Sequence, residues 1–157
     1  MGEDRDVALF TEVDKAGDPG FFIRFVDQGN ALPDIQTSKF IILEGLRLGE
    51  GLSVLDLGCG AGDDVVDIAR RVGPTGSVIG VDVSEVMIAE AQKRTAGLGL
   101  PVAFEVGNAM ELGFESDTFD ACRTERMLMH VPDAGQALLE MVRVTKTGGR
   151  VSVFDFG

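Results

Sequence analysis

Apolar residues early in the chain recur at helical intervals: Phe21, Phe22, Phe25 and Val26 before Pro33, then Ile41, Ile42 and Leu46 after it. That spacing predicts two leading helices over 18–48, with Asp34 as N-cap of the second and Gly49 to Gly51 closing it. The pattern then shortens. SVLDLG reads as a buried strand, followed by a helix over 62–72 whose inner face is Val65, Ile68, Ala69 and Val72. SVIGVDV reads as a second strand, after which Ser84 caps a helix carrying Met87, Ile88 and Ala91 toward the core. VAFEV, FDACRT and RVSVFDF follow as the third, fourth and fifth strands. A helix over 133–146 separates the last two, with Leu138, Met141 and Val142 at helical spacing and Gly148-Gly149 ending it. Strands alternating with helices imply right-handed crossovers and a parallel sheet covered on both faces, an α/β, doubly wound class.

Composition narrows what such a fold would serve. The chain has 157 residues, 45% of them hydrophobic, which suits one domain with a substantial core. Residues 1–48 read as its helical lead-in and residues 49–157 as the core. No apolar run approaches the roughly 20 residues needed to cross a bilayer, and the start MGEDRD lacks the basic and apolar regions of a signal peptide, so the expected location is cytoplasmic, without a membrane partner. A formal net charge of −12 argues against nucleic acid, whose binding depends on Lys and Arg neutralising phosphates. A neutral or cationic small molecule is the easier ligand. Cys59 and Cys122 have no CxxC or histidine partner at metal spacing, so both are expected reduced and no metal site is expected. With no Trp and no Tyr, aromatic contacts must come from Phe.

The chemistry concentrates in VLDLGCGAGDD, residues 54–64. In open α/β sheets ligands sit at the carboxyl ends of the strands, and glycines there let the backbone approach where a Cβ would collide. Asp82 ends the second strand, where an acid can accept hydrogen bonds from both ribose hydroxyls. Loop and acid together point to an adenosine-type nucleoside. The dinucleotide fingerprint GxGxxG is not met: Gly58, Gly60 and Gly62 give GxGxG, with Asp63 where the last glycine belongs. Asp63 and Asp64 also put negative charge at the start of the helix, where a pyrophosphate needs amides and positive dipole. Asp56, two residues before Gly58, can hold the loop or meet a cationic amine.

These residues resemble the class I S-adenosylmethionine-dependent methyltransferases, particularly the small-molecule branch with the ubiquinone and menaquinone methyltransferases. VLDLGCGAGDD is similar to their first motif and VIGVDVS to the second; GNAMELGFESDTFDACRTERMLMHVPD is similar to the segment around strand four, and EMVRVTKTGGRVSVFD to the lead-in to strand five. The resemblance covers residues 34–157 and implies a Rossmann-like sheet of order 3-2-1-4-5, with S-adenosyl-L-methionine as cofactor and S-adenosyl-L-homocysteine as product. It further implies that the loop with Gly58, Cys59, Gly60 and Gly62 lines the methionine part beside Asp56, and that Asp82 binds the ribose. Val83 and Met87 would pack on adenine, as would the segment Asn108, Ala109 and Met110. The family usually has Gly-Asp-Ala where this chain has Gly107-Asn108-Ala109; the Asn carbonyl can still accept from the adenine amino group. Arg123 and Thr124 would approach the methionine end, Thr124 mainly through its backbone.

Methyl transfer from a sulfonium is an in-line displacement that chiefly requires positioning. A hydroxyl or acidic carbon acceptor would benefit from a base, and His130, the only histidine, is the candidate catalytic residue, unless it packs or caps the following helix. Glu125 and Arg126 are open to either a substrate contact or an ion pair. Family domains usually continue past strand five with a helix and an antiparallel strand pair, so the expectation is an exposed strand-five edge covered by homo-oligomerisation. Three readings follow: a methyltransferase acting on a small-molecule methyl acceptor, a non-catalytic cofactor-binding or self-associating truncated domain, and, least supported by the glycine spacing, a nicotinamide-dependent oxidoreductase.

Overall fold

The structure, a computed structural model, describes residues 7–156; the MGEDRD start lies outside the described residues. β1 (Ser53–Leu57), β2 (Ser77–Asp82), β3 (Val102–Val106), β4 (Phe119–Glu125) and β5 (Thr145–Phe154) form one sheet in the order β3-β2-β1-β4-β5. Every neighbouring pair is parallel. The chain leaves β1 toward β2 and β3, then returns to the other side of β1 with β4. This opens a crevice at the carboxyl ends of β1 and β4.

α1 (Pro19–Asn30) and α2 (Pro33–Gly45) lead into the sheet, α3 (Asp63–Val72), α4 (Glu85–Thr95) and α5 (Ala134–Val144) connect or flank its strands. Alternation along β1 splits the core into two layers. Val54 packs with Val65, Ile68, Val72 and Ile88 on one face, joined by Leu43 of α2 and Leu46 just after it. Leu55 and Leu57 face the other way, onto Ala137, Met141 and Val144 of α5. A third cluster, Val13, Phe22 and Met87, ties a 3-10 segment over Val7–Lys15 to α1 and α4. The helical periodicity did not foresee that segment.

Several local expectations are corrected. Asp34 is not the cap of α2: Leu32 holds that position and Pro33 begins the helix, so Asp34 falls in the first turn, where its charge suits the helix dipole. Gly49 to Gly51 lies beyond the end of α2, which closes at Gly45. Gly148-Gly149 does not end α5: the helix stops at Val144 and Thr145 already pairs with Phe119. Both glycines sit instead at an irregularity in β5, where Gly148 has φ +83° and a Cβ on Gly149 would lie 2.6 Å from the Asp120 carbonyl oxygen. On α5, Met141 is buried as expected, but Val142 is 61% exposed and Leu138 half-exposed; Ala137 and Val144 complete the inner stripe. β5 is one of the two sheet edges, β3 being the other, and Val151 and Val153 are partly exposed on it. Among the described residues, no helix is long and apolar enough to cross a membrane.

Candidate functional site

The strand ends and leading helices enclose a cavity of about 690 Å³ above the crevice. Its floor is the loop after β1. Gly58, Gly60 and Gly62 all take positive φ, which a side chain would resist. Gly58 and Cys59 donate their amides to the Val81 carbonyl at 2.7 and 3.0 Å, and Gly60 donates to the Asp82 carboxylate at 2.9 Å. Most loop amides therefore point to β2 and are not gathered into an anion nest. A Cβ on Gly60 would meet no protein atom within 4 Å, so at that residue the backbone is bare toward the cavity. Gly58 is covered by Met127, 2.7 Å from where its Cβ would be.

Asp82 stands at the centre of the cavity wall. One oxygen accepts from Gly60 and the other from the Ser84 amide at 3.0 Å, leaving lone pairs for further donors. Burial pushes the Asp82 carboxyl up against the opposing effect of those amides, and Asp14 nearby adds to the rise. Ser84 caps α4 as expected, accepting from the Met87 amide. Its hydroxyl donates to Asp14 of the 3-10 segment, which also accepts the Glu85 and Val86 amides. Beyond Asp82 the wall continues with exposed Val83, buried Met87, Asn108, Ala109 and Met110. Asn108 Oδ1 already accepts the Met110 amide at 2.9 Å, which fixes the side chain in a tight turn and spends one of the oxygen's lone pairs.

The other end of the cavity holds a buried ion cluster that the sequence pattern did not reveal. Arg123, 1% exposed, meets Asp56 at 3.2 Å, Asp64 at 3.1 Å and Glu125 at 2.5 Å. Lys39 of α2 reaches Asp64 at 2.7 Å and Glu125 at 3.0 Å, and Arg126 meets Glu125 at 3.2 Å. Burial lifts the Asp56 carboxyl to about 7 despite Arg123, whereas Arg123 and Lys39 overcome burial and hold Asp64 below its ordinary value. Burial likewise pushes both cysteine thiols up, away from thiolate chemistry.

Of the sequence-derived site residues, Gly58, Cys59, Gly60, Asp82, Val83, Met87, Asn108, Ala109, Met110, Arg123 and His130 line this one cavity. Asp56, Gly62 and Thr124 do not. Asp56 lies beneath the loop, 2% exposed and 3.2 Å from Arg123. A Cβ on Gly62 would press on Ala91 and Phe104, making that glycine a packing requirement between layers. Thr124 is fully buried and donates its hydroxyl to the Leu57 carbonyl. Glu125 and Arg126 are no surface pair: the Glu125 side chain is 5% exposed. His130 ends a 3-10 turn, Leu128–His130, with its ring 5.3 Å from that of Phe10, and Asp133 rather than His130 caps α5. The remaining wall is mostly apolar, from Phe25, Val26, Leu32, Ile35, Met129, Pro132 and Phe156, with Thr11, Asn30 and Asp63 as its polar members.

Residues 48–157, spanning all five strands, match a family described as a methyltransferase domain. The chain belongs to the class I S-adenosylmethionine-dependent methyltransferases. It is similar to the demethylmenaquinone methyltransferase of Halalkalibacterium halodurans, with 44% identity over 110 residues, covering 69% of this chain and 45% of the relative. Among solved structures, this methyltransferase domain is similar to an S-adenosylmethionine-dependent methyltransferase from Aquifex aeolicus, with TM-score 0.64 and 28% identity over 69% of this chain and 58% of that one. It is also similar to the cyclase SpnF, with TM-score 0.70 and 30% identity over 76% of this chain and 44% of that one. The domain spans between 37% and 54% of the length of the first curated relatives it matches. The family cofactor is S-adenosylmethionine, and the bare backbone at Gly60, the acceptor capacity of Asp82 and the loop amides turned away from any anion suit a nucleoside with a sulfonium limb better than a pyrophosphate.

Proposed function

We propose that this chain carries the cofactor site and part of the acceptor site of a methyltransferase acting on an apolar small molecule, a quinol-like ring being a fitting acceptor given the demethylmenaquinone methyltransferase relatives. The observation that carries this reading is one continuous cavity, polar along Gly60, Asp82 and Asn108 and apolar along Phe10, Phe25, Met129 and Pro132. In it, Asp82 accepts the ribose hydroxyls, Val83 and Met87 flank the adenine, and Gly58 to Ala61 support the methionine limb. The cofactor, when bound, supplies an electrophilic methyl carbon. The protein holds the acceptor in line with that carbon and excludes water from the path. His130, at the apolar end, takes the proton from an acceptor hydroxyl or acidic carbon.

Titration calorimetry with S-adenosylmethionine and S-adenosylhomocysteine tests the cofactor half, and no heat at millimolar ligand would overturn it. Turnover against a panel of phenols, quinols and amines tests the acceptor half. A second reading, a cofactor-binding domain without turnover that self-associates through β5, is favoured by the open edge at Val151 and Val153. Light scattering across a concentration series distinguishes it, since a monomer throughout counts against self-association.

A further inference from the structure

Among the described residues other than glycine, Arg47, Asp117 and Arg126 take left-handed backbone, with φ of +50°, +56° and +54°. Arg47 and Asp117 are exposed, whereas the Arg126 side chain is 23% exposed and lines the cavity. Strained backbone of this kind concentrates at ligand and active sites. The Arg126 amide donates to the Phe154 carbonyl at 2.7 Å, which ties the turn to β5. Its side chain reaches the end of α1, where Nη2 donates to Asn30 Oδ1 at 2.6 Å. Asn30 in turn donates to Asp63 at 3.2 Å, which sets the way its amide faces. The guanidinium is therefore held in place from two sides.

Resting on the methyltransferase reading above, we propose that Arg126 is the seat for an oxyanion on the methyl acceptor, so that the acceptor class is an acidic hydroxyl, such as a phenol, quinol or enol, and not an amine. The other cations among the described cavity-lining residues hydrogen-bond carboxylates: Arg123 donates to Asp56, Asp64 and Glu125, and Lys39 to Asp64 and Glu125. Arg126 hydrogen-bonds only the neutral Asn30 among the described residues. Its Nε is buried 3.2 Å from Glu125 yet makes no hydrogen bond, and its Nη1, beside the bare backbone of Gly29, has no described acceptor. A guanidinium fixed with most of its donors unused is short of an acceptor. The nearest carboxylates are already held by other cations, Glu125 by Arg123 and Lys39 and Asp63 by Arg94. Phe25, Val26, Gly29 and Asn30 share one face of α1 and line the cavity, so the group bonded to Asn30 stands at the edge of the apolar chamber. His130 lines the same cavity four residues on. When an acceptor hydroxyl gives its proton to His130, the bonding pair stays on oxygen, and a fixed cation stabilises that charge where water is scarce. An amine develops positive charge as it reacts, and the same cation opposes it.

The test adds 4-nitrophenol, whose phenolate absorbs visible light, or 4-nitroanisole, the same ring with no ionisable hydroxyl, to the chain saturated with S-adenosylhomocysteine. Where the free phenol is ionised, the wild-type chain is expected to favour the phenolate over 4-nitroanisole by about ten-fold or more. Bound 4-nitrophenol should then titrate about one pH unit below the free phenol. Arg126→Gln keeps a donor for Asn30 but loses the charge. It should reduce the preference to within about two-fold, while S-adenosylhomocysteine and 4-nitroanisole bind within about two-fold of wild type, a control for an intact fold. Arg126→Lys, which keeps the charge, should retain about half of the preference or more. A wild-type chain with no preference for the phenolate overturns the inference whatever the variants do. So does an Arg126→Gln chain that keeps the preference, or one that loses all three ligands alike, which would make Arg126 only a tie between β4 and α1. If the wild-type chain binds no S-adenosylhomocysteine, it is the cofactor reading that fails, and the inference falls with it.

Discussion

Gly58 and Gly60 both take positive φ in the loop after β1, yet a side chain would meet different surroundings at each. At Gly58 it strikes Met127, while at Gly60 it enters open cavity. Gly60→Ala is therefore expected to cost about 1 kcal/mol in urea unfolding, the penalty of a left-handed alanine, and to weaken S-adenosylhomocysteine by about ten-fold. Unaltered affinity in calorimetry would remove Gly60 from the cofactor seat. His130 makes a kinetic prediction: His130→Gln should lower kcat by about 100-fold for a hydroxyl acceptor and leave cofactor affinity unchanged. Loss of cofactor binding in that variant would assign the ring, packed on Phe10, to shaping the cavity. Both residues were legible in the sequence, one by glycine spacing and one by being the sole histidine. Lys39 was not, because a single lysine inside an apolar stripe reads as an exposed position until the helix is docked.

At the scale of elements, α5 separates periodicity from burial. Leu138, Met141 and Val142 keep helical spacing, but the fully buried stripe is Ala137, Met141 and Val144. Met141→Ala should cost about 2–5 kcal/mol by leaving a void between α5 and β1, whereas Val142→Gln should stay within about 0.5 kcal/mol. Equal losses in chemical denaturation would mean that Val142 is covered in solution. Spacing yields a stripe about 100° wide, and the neighbouring residues share it; which of them turns inward depends on how the helix rolls onto the sheet. Strands were more legible. Short apolar runs between helical patterns located all five, apart from the early start of β5, whose irregular Gly148-Gly149 segment resembles a helix terminus in sequence.

Across the whole molecule, the ion cluster under the loop joins α2, α3, β1 and β4. Asp56 is lifted by burial from an ordinary value of 3.8 to about 7. Between those values the folded chain holds a proton that the unfolded chain has released, so stability falls as pH rises through that window. Asp64 has the opposite sign: burial is outweighed by Arg123 and Lys39, and its stabilisation is lost only as pH falls below the usual carboxylate range. The buried, raised Asp82 adds to the fall with rising pH. The urea midpoint should therefore drop from about pH 5 to about pH 8, and Asp56→Asn should shrink the drop; an equal drop in the variant would exclude Asp56 as its source. Arg123→Leu strands several carboxylates at once and should cost about 3–5 kcal/mol or prevent folding.

The sequence by itself determined the sheet class, the glycine loop and the acid at the end of β2, and hence a nucleoside ligand, because each depends on residues close together along the chain. The cofactor followed from the resemblance of the motifs to the methyltransferase family. Short apolar runs, glycine spacing and a strand-end acid are local patterns, and local patterns survive in a linear string. Tertiary structure alone decided that Asp56 and Arg123 meet beneath the loop, that Gly62 and Thr124 serve packing, and that Lys39 joins Glu125 from 86 positions away. Contacts at such separations have no period. They arise when the sheet brings the ends of β1 and β4 together and α2 closes over them, and the balance of charge in the cavity is fixed only then.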